Sequence, residues 1–161
     1  MAPNTSQRKW YYEACTLDLE EVMREIINLD EYSTIAMTSH LALGEAFGNC
    51  RMKGQEKLSA LNGLIGSMGN KLRIIGNDGV HEIYMELKNE FPRITETDLL
   101  HIATAIQNGC VQFNTADSDI KDLPPSSKKK IKEIAQEHGC SEFAIRPFEI
   151  PKVNKKKHGR K

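Results

Sequence analysis

The stretch ITETDLLHIATAIQNGCVQFNTADSDI, residues 94–120, joins a helix to a strand and places acids at both ends of the unit. Its first half is built from Leu, Ile and Ala. Thr95 or Thr97 supplies a helix cap and Gly109 a stop. CVQFNT then reads as a short buried strand, residues 110–115. Asp98 opens the helix, His101 follows one turn on, and Asp117 and Asp119 stand just past the strand. Helix capping and a turn would explain each acid alone. Taken together, the acids raise the alternative of a metal site made of carboxylates.

The same alternation extends outward in both directions. KWYYEAC (9–15), TIAMTS (34–39), LRII (72–75) and FAIRPFEI (143–150) read as further strands. Between them, TLDLEEVMREIINL (16–29) carries Leu19, Val22, Met23, Ile26 and Ile27 at helical spacing, with Thr16 or Asp18 as its cap. SHLALGEAFGNCR (39–51) reads as a helix capped by Ser39. GQEKLSALNGLIGSMGN (54–70), DGVHEIYMELKNEF (78–91) and SSKKKIKEIAQEHG (126–139) are helices as well. Strands that alternate with helices, and that are near-continuous apolar runs, predict a three-layer α/β/α sandwich around a mostly parallel sheet of about five strands.

The 161 residues suit one domain, expected over 9–150, with a disordered segment at 1–8 and a basic, flexible tail at 151–161. Apolar content of 39% and charged content of 27% are those of a globular protein with a hydrophilic surface. No run approaches the ~18 apolar residues of a membrane span, and MAPNTSQRKW lacks a secretion signal's apolar core, so no membrane contact and a cytoplasmic location are expected. Cys15, Cys50, Cys110 and Cys140 form no CxxC pair, which argues against zinc and for reduced thiols. The zero net charge hides a split. Residues 1–125 hold 11 Lys+Arg against 18 Asp+Glu, and residues 126–161 hold 11 against 4. Lys128, Lys129 and Lys130 on the last helix, and Lys155, Lys156 and Lys157 in the tail, are candidate phosphate contacts or a solvated surface.

In open parallel sheets, functional groups gather at the carboxyl ends of the strands. Glu13 ends the first strand there, and Asp117 and Asp119 follow the fourth. Glu45 shares a helical face with Leu41 and Gly48, an apolar setting in which a carboxylate is paired or coordinating. Converging carboxylates repel one another and persist where a divalent cation neutralises them. Oxygen-only ligands select Mg²⁺ or Mn²⁺, which can activate water against a phosphodiester. His101 reads either as a helper in proton transfer or as a buried, hydrogen-bonded histidine.

WYYEACTLDL, TSHLALGEAFGN and TDLLHIATAIQNGCVQFNTADSDI together resemble the PIN-domain family, including its VapC-type toxins. The later motif is nearly complete in Asp98, His101, Ala103, Ala105, Thr115, Asp117 and Asp119. The resemblance implies Mg²⁺- or Mn²⁺-dependent cleavage of RNA. It carries over Glu13, Glu45, Asp98 and Asp117 as catalytic metal-site acids, Asp119 as a supplementary metal acid, and Ser39, His101 and Thr115 as support. For the toxin branch it also implies an antitoxin partner, which would cover the acids with an Arg or Lys, and a homodimer. An RNA-processing nuclease would have no such inhibitor.

Glu13 departs from the family, whose first acid is normally Asp. One added methylene moves the carboxylate by on the order of 1 Å, which matters for magnesium's strict octahedron. Three readings follow: the site accepts Glu, the fold serves as an RNA- or protein-binding module with weak or no catalysis, or Glu13 is itself a substitution that disarms a toxic nuclease. A third class, an unrelated α/β domain binding a phosphorylated ligand, would lack the usual glycine loops, since neither GxGxxG nor GxxxxGK is present.

Overall fold

The computed structural model describes residues 7–17, 19–30 and 32–150. The segment before Gln7, the tail 151–161 with Lys155, Lys156 and Lys157, and the proposed cap Asp18 lie outside them. Five strands form one sheet: β1 (Arg8–Tyr12), β2 (Thr34–Ser39), β3 (Leu72–Ile75), β4 (Gln112–Thr115) and β5 (Ala144–Pro147). Their order is β3-β2-β1-β4-β5 and every pairing is parallel.

Strand periodicity explains the three layers. Tyr11 and Tyr12 are adjacent and both fully buried, and they point to opposite faces. Tyr11 packs with Ile35, Met37 and Phe113 against α4 (His81–Glu90), α5 (Glu96–Gln107) and α7 (Pro125–Glu137). Tyr12 packs with Ala36 against α1 (Glu20–Asn28), α2 (His40–Lys53) and α3 (Gln55–Met68). The protein is therefore an α/β/α sandwich with an all-parallel central sheet. Each fully buried Leu, Ile or Phe in these two cores contributes roughly 1.5–3 kcal/mol.

Helix α5 is buried along nearly its whole length, from Asp98 to Ile106, which accounts for its run of Leu, Ile and Ala. Thr95 is its cap, accepting the Asp98 N–H at 3.2 Å. Gly109, at φ +78, lets the chain turn back into β4. Ser39 accepts the Ala42 N–H at 3.0 Å at the start of α2.

Three local expectations change. The first strand stops at Tyr12, and Ala14–Thr16 form a 3₁₀ turn rather than strand. Leu19, which has no side-chain acceptor, stands at the N-cap of α1, and the Thr16 hydroxyl donates instead to the Glu13 carbonyl at 2.7 Å. Ser118–Lys121, read from sequence as part of a turn, form the short helix α6.

The chain runs from β1 outward to β3, then crosses back to β4 on the other side of β1. The carboxyl ends of β1 and β4 thus flank the point where strand order reverses, the usual crevice of such sheets.

Candidate metal centre

Glu13 is the first residue after β1, and Asp117 lies two beyond β4. The register that pairs Tyr12 with Asn114 puts both strand ends at one level. The Glu13 N–H donates to the Asn114 carbonyl at 3.0 Å. The Thr115 hydroxyl donates to Glu13 Oε1 and accepts the Asp117 N–H at 3.0 Å. Asp98 comes from the first turn of α5. One carboxylate oxygen from each of Glu13, Asp98 and Asp117 can be chosen so that all lie within 4.8 Å of one another. They open into a pocket of about 440 Å³, also lined by Ala14, Cys15, Glu45 and Gly48.

This convergence carries an electrostatic cost. Glu13 is only 3% exposed. Burial, reinforced by the charges of Asp98 and Asp117, pushes its carboxyl up to about 7, against the opposing hydrogen bond from Thr115. Asp98 is raised to about 6, by burial first and by Asp117 second. No Lys or Arg is among the described residues lining the pocket. Three hard oxygen donors with no basic side chain between them fit a divalent cation.

Not every sequence-selected acid joins them. Glu45 lines the same pocket, yet it stands outside the three-acid cluster. Its side chain is 37% exposed, and its Oε1 lies 2.7 Å from His101 Nε2. Asp119 is exposed, and its backbone N–H donates to Asp117 Oδ1 at 2.9 Å. Asp117 therefore serves both as the cap of α6 and as a cluster member. On α7, Lys128 donates to the Lys121 carbonyl at 2.7 Å, and Lys130 lies 4.0 and 3.9 Å from Glu90 and Glu133. Lys129 is exposed.

His101 is 1% exposed, and its Nδ1 lies 2.7 Å from the Tyr11 hydroxyl. That hydroxyl is 2.7 Å from Ser39 Oγ. Tyr11 and Cys15 are the two residues that sequence reasoning did not select. Cys15 donates to Glu13 Oε1 at 3.5 Å and lines the pocket, and its nearness to Glu13 in the chain was the available signal. Burial pushes its thiol up to about 12, so it stays protonated. Tyr11 meets His101 across 90 residues of chain, and no local pattern reports that.

The PIN domain pattern matches residues 10–124, well over half of the chain. The chain belongs to the PIN-domain family. Among solved structures, the PIN domain is similar to VapBC2 from Rickettsia felis bound to a DNA fragment from its promoter, with a TM-score of 0.57 and 13% identity over 88% of this chain and 99% of that one. It is also similar to FitAB bound to the IR36 DNA fragment, at 0.52 and 16% identity over 89% and 98%. The Sarcin-Ricin loop cleaving toxin VapC20 of Mycobacterium tuberculosis matches at 0.47 and 14% identity over 70% and 92%. At these identities the likeness concerns the fold. No curated protein sequence matches.

Proposed function

We propose that this PIN domain is a divalent-cation-dependent ribonuclease. The observation that carries the reading is the convergence of Glu13, Asp98 and Asp117, two of them buried and shifted toward the protonated form, at the sheet's switch point. Membership of a family made up generally of nucleases supports it.

When bound, Mg²⁺ or Mn²⁺ supplies the charge that neutralises these acids and polarises water and phosphate oxygens. The protein's own part is placement. The Thr115 hydroxyl and two backbone hydrogen bonds hold Glu13 and Asp117 at fixed separation. The Thr95 cap fixes the turn bearing Asp98. Burial of Glu13 keeps bulk water from screening the site. Glu45 lines the same pocket, and Asp119 stands beside Asp117 as a supplementary acid, its backbone N–H bound to Asp117 Oδ1. Glu13 stands where the family has Asp, and the Thr115 hydroxyl holds its carboxylate. The VapBC2 and FitAB likenesses support a protein partner of antitoxin type, which would place a basic side chain among acids that have none of their own.

The test is cleavage of an end-labelled single-stranded RNA with Mn²⁺, with Mg²⁺ and with EDTA, beside Asp98→Asn. Metal-dependent cutting that disappears in EDTA and in the variant is the expected result. If nothing is cut, the same assay on Glu13→Asp decides. Recovery would mean that the added methylene disarms the site, and continued silence would favour the binding-module reading.

A further inference from the structure

The polar side chains beside the acid cluster close a ring of hydrogen bonds. It runs from the Ala42 N–H to Ser39 Oγ at 3.0 Å, to the Tyr11 hydroxyl at 2.7 Å, to His101 Nδ1 at 2.7 Å, and from His101 Nε2 to Glu45 Oε1 at 2.7 Å. Ala42 and Glu45 both belong to α2, so the ring returns to the helix it leaves. It ties together β1, β2, α2 and α5.

The direction of the protons follows from the two ends. A backbone N–H can only donate, so Ser39 Oγ accepts from Ala42 and has its own proton for Tyr11. A carboxylate can only accept, and Glu45 Oε1 is the accepting end of the ring. His101 Nε2 must then carry the proton that Glu45 accepts. In a neutral ring Nδ1 is left bare, and it accepts from the Tyr11 hydroxyl. This direction satisfies every group in the ring.

We propose that His101 is a positioning residue for Glu45: Tyr11 and Ser39 hold its imidazole as the Nε2–H tautomer, and Nε2–H fixes Glu45 Oε1 so that Oε2 faces the pocket. His101 itself touches neither cation nor substrate. Its effect passes entirely through Glu45. Hydrogen-bond partners of this kind behind a metal-site carboxylate are worth about 10–100-fold in metal affinity. The affinity part rests on the cation site proposed above, whereas the tautomer does not.

The experiment has two arms. The first is the imidazole ¹⁵N spectrum of the wild-type protein, alone and beside Tyr11→Phe. Tyr11 lies fully buried and stacked on Phe113 at 5.4 Å, so the change removes only the hydroxyl. The expected result is one ring with Nε2 protonated and Nδ1 bare, its Nδ1 resonance moving in the variant. A ring protonated at both nitrogens, or at Nδ1 alone, would overturn the proposal.

The second arm is Mn²⁺ titration of His101→Gln and His101→Asn by calorimetry, with Tm measured on each. A Gln amide can reach Glu45 from the ε position, and an Asn amide reaches only the δ position. Gln is expected to hold affinity within about 3-fold and Asn to lose about 10-fold or more. Equal losses in both, tracking Tm, would reduce His101 to a structural residue and overturn the proposal. Absence of Mn²⁺ binding in the wild type would instead sink the cation site, leaving the spectrum as the judge of the ring.

Discussion

Glu13 makes the site's charge state measurable, because its folded and unfolded affinities for a proton differ. Its carboxyl is raised from an ordinary 4.5 to about 7. The folded chain therefore keeps this proton over a range in which the unfolded chain has released it. Stability from this group is fully present below about pH 4.5 and is lost as pH rises through 7. Asp98, raised to about 6, acts in the same direction. Thermal melts in EDTA should show Tm falling from pH 5 to 8, with a change on the order of 2–3 kcal/mol. Glu13→Gln should flatten that curve, and a slope unchanged by the substitution would place the titration elsewhere. Mn²⁺ should reverse the trend near neutral pH. At 100 times its Kd it should contribute about 2.7 kcal/mol, fading as protons compete in acid. Measuring Tm against Mn²⁺ concentration at both ends of the pH range checks this directly.

At the level of elements, α5 couples stability to site geometry. The Thr95 hydroxyl caps the helix by binding the N–H of Asp98 itself. Thr95→Ala should cost about 1 kcal/mol in denaturant unfolding. It should also weaken Mn²⁺ binding, since the turn bearing Asp98 frays. Ile102→Ala, in the middle of the same helix and fully buried, should cost about 2–5 kcal/mol. If the folded fraction retains the wild-type Mn²⁺ affinity, the two roles of the helix are separable. This helix was also the most legible part of the sequence, because its cap, apolar run and terminal glycine all sit within a few residues. Strands β2 and β3 were legible for a similar reason, TIAMTS and LRII being short, mainly apolar runs. The stop of β1 at Tyr12 was not, because Ala14, Cys15 and Thr16 carry no turn signal and only their tertiary contacts curl them into a 3₁₀ turn. Helix α6, four residues long, is too short for periodicity to register. Of the acids, Asp98 and Asp117 could be read from position alone. The capture of Glu45 by His101 joins residues 56 apart, and only the fold reveals it.

Over the whole molecule, the two charge populations sort by place. The acidic part of the chain supplies the pocket, and 126–161 supplies an excess of seven basic charges. That excess was assigned from sequence to both α7 and the tail, and the fold divides it unequally. Lys128 is bound to the Lys121 carbonyl, and Lys130 stands between two glutamates. Lys121 donates to the Phe148 carbonyl and lies 3.2 Å from Glu149. Of the three α7 lysines selected, Lys129 alone is left exposed with no hydrogen bond or ion pair among the described residues, whereas 151–161 hold six basic residues. If the tail neutralises RNA phosphates, each contact should add about 0.7 to the slope of log affinity against log salt for a single strand. Fluorescence anisotropy with labelled single-stranded RNA in EDTA, which would switch off the proposed metal-dependent cutting, reads that slope. Removal of 151–161 should lower the slope by up to about 4 and weaken binding most at low salt. Lys129→Ala should lower it by no more than about 1. The opposite order of effects would put the RNA path across α7. An unchanged slope in both would leave the acidic pocket to bind RNA through its cation alone, in which case adding Mn²⁺ should restore affinity that EDTA removes.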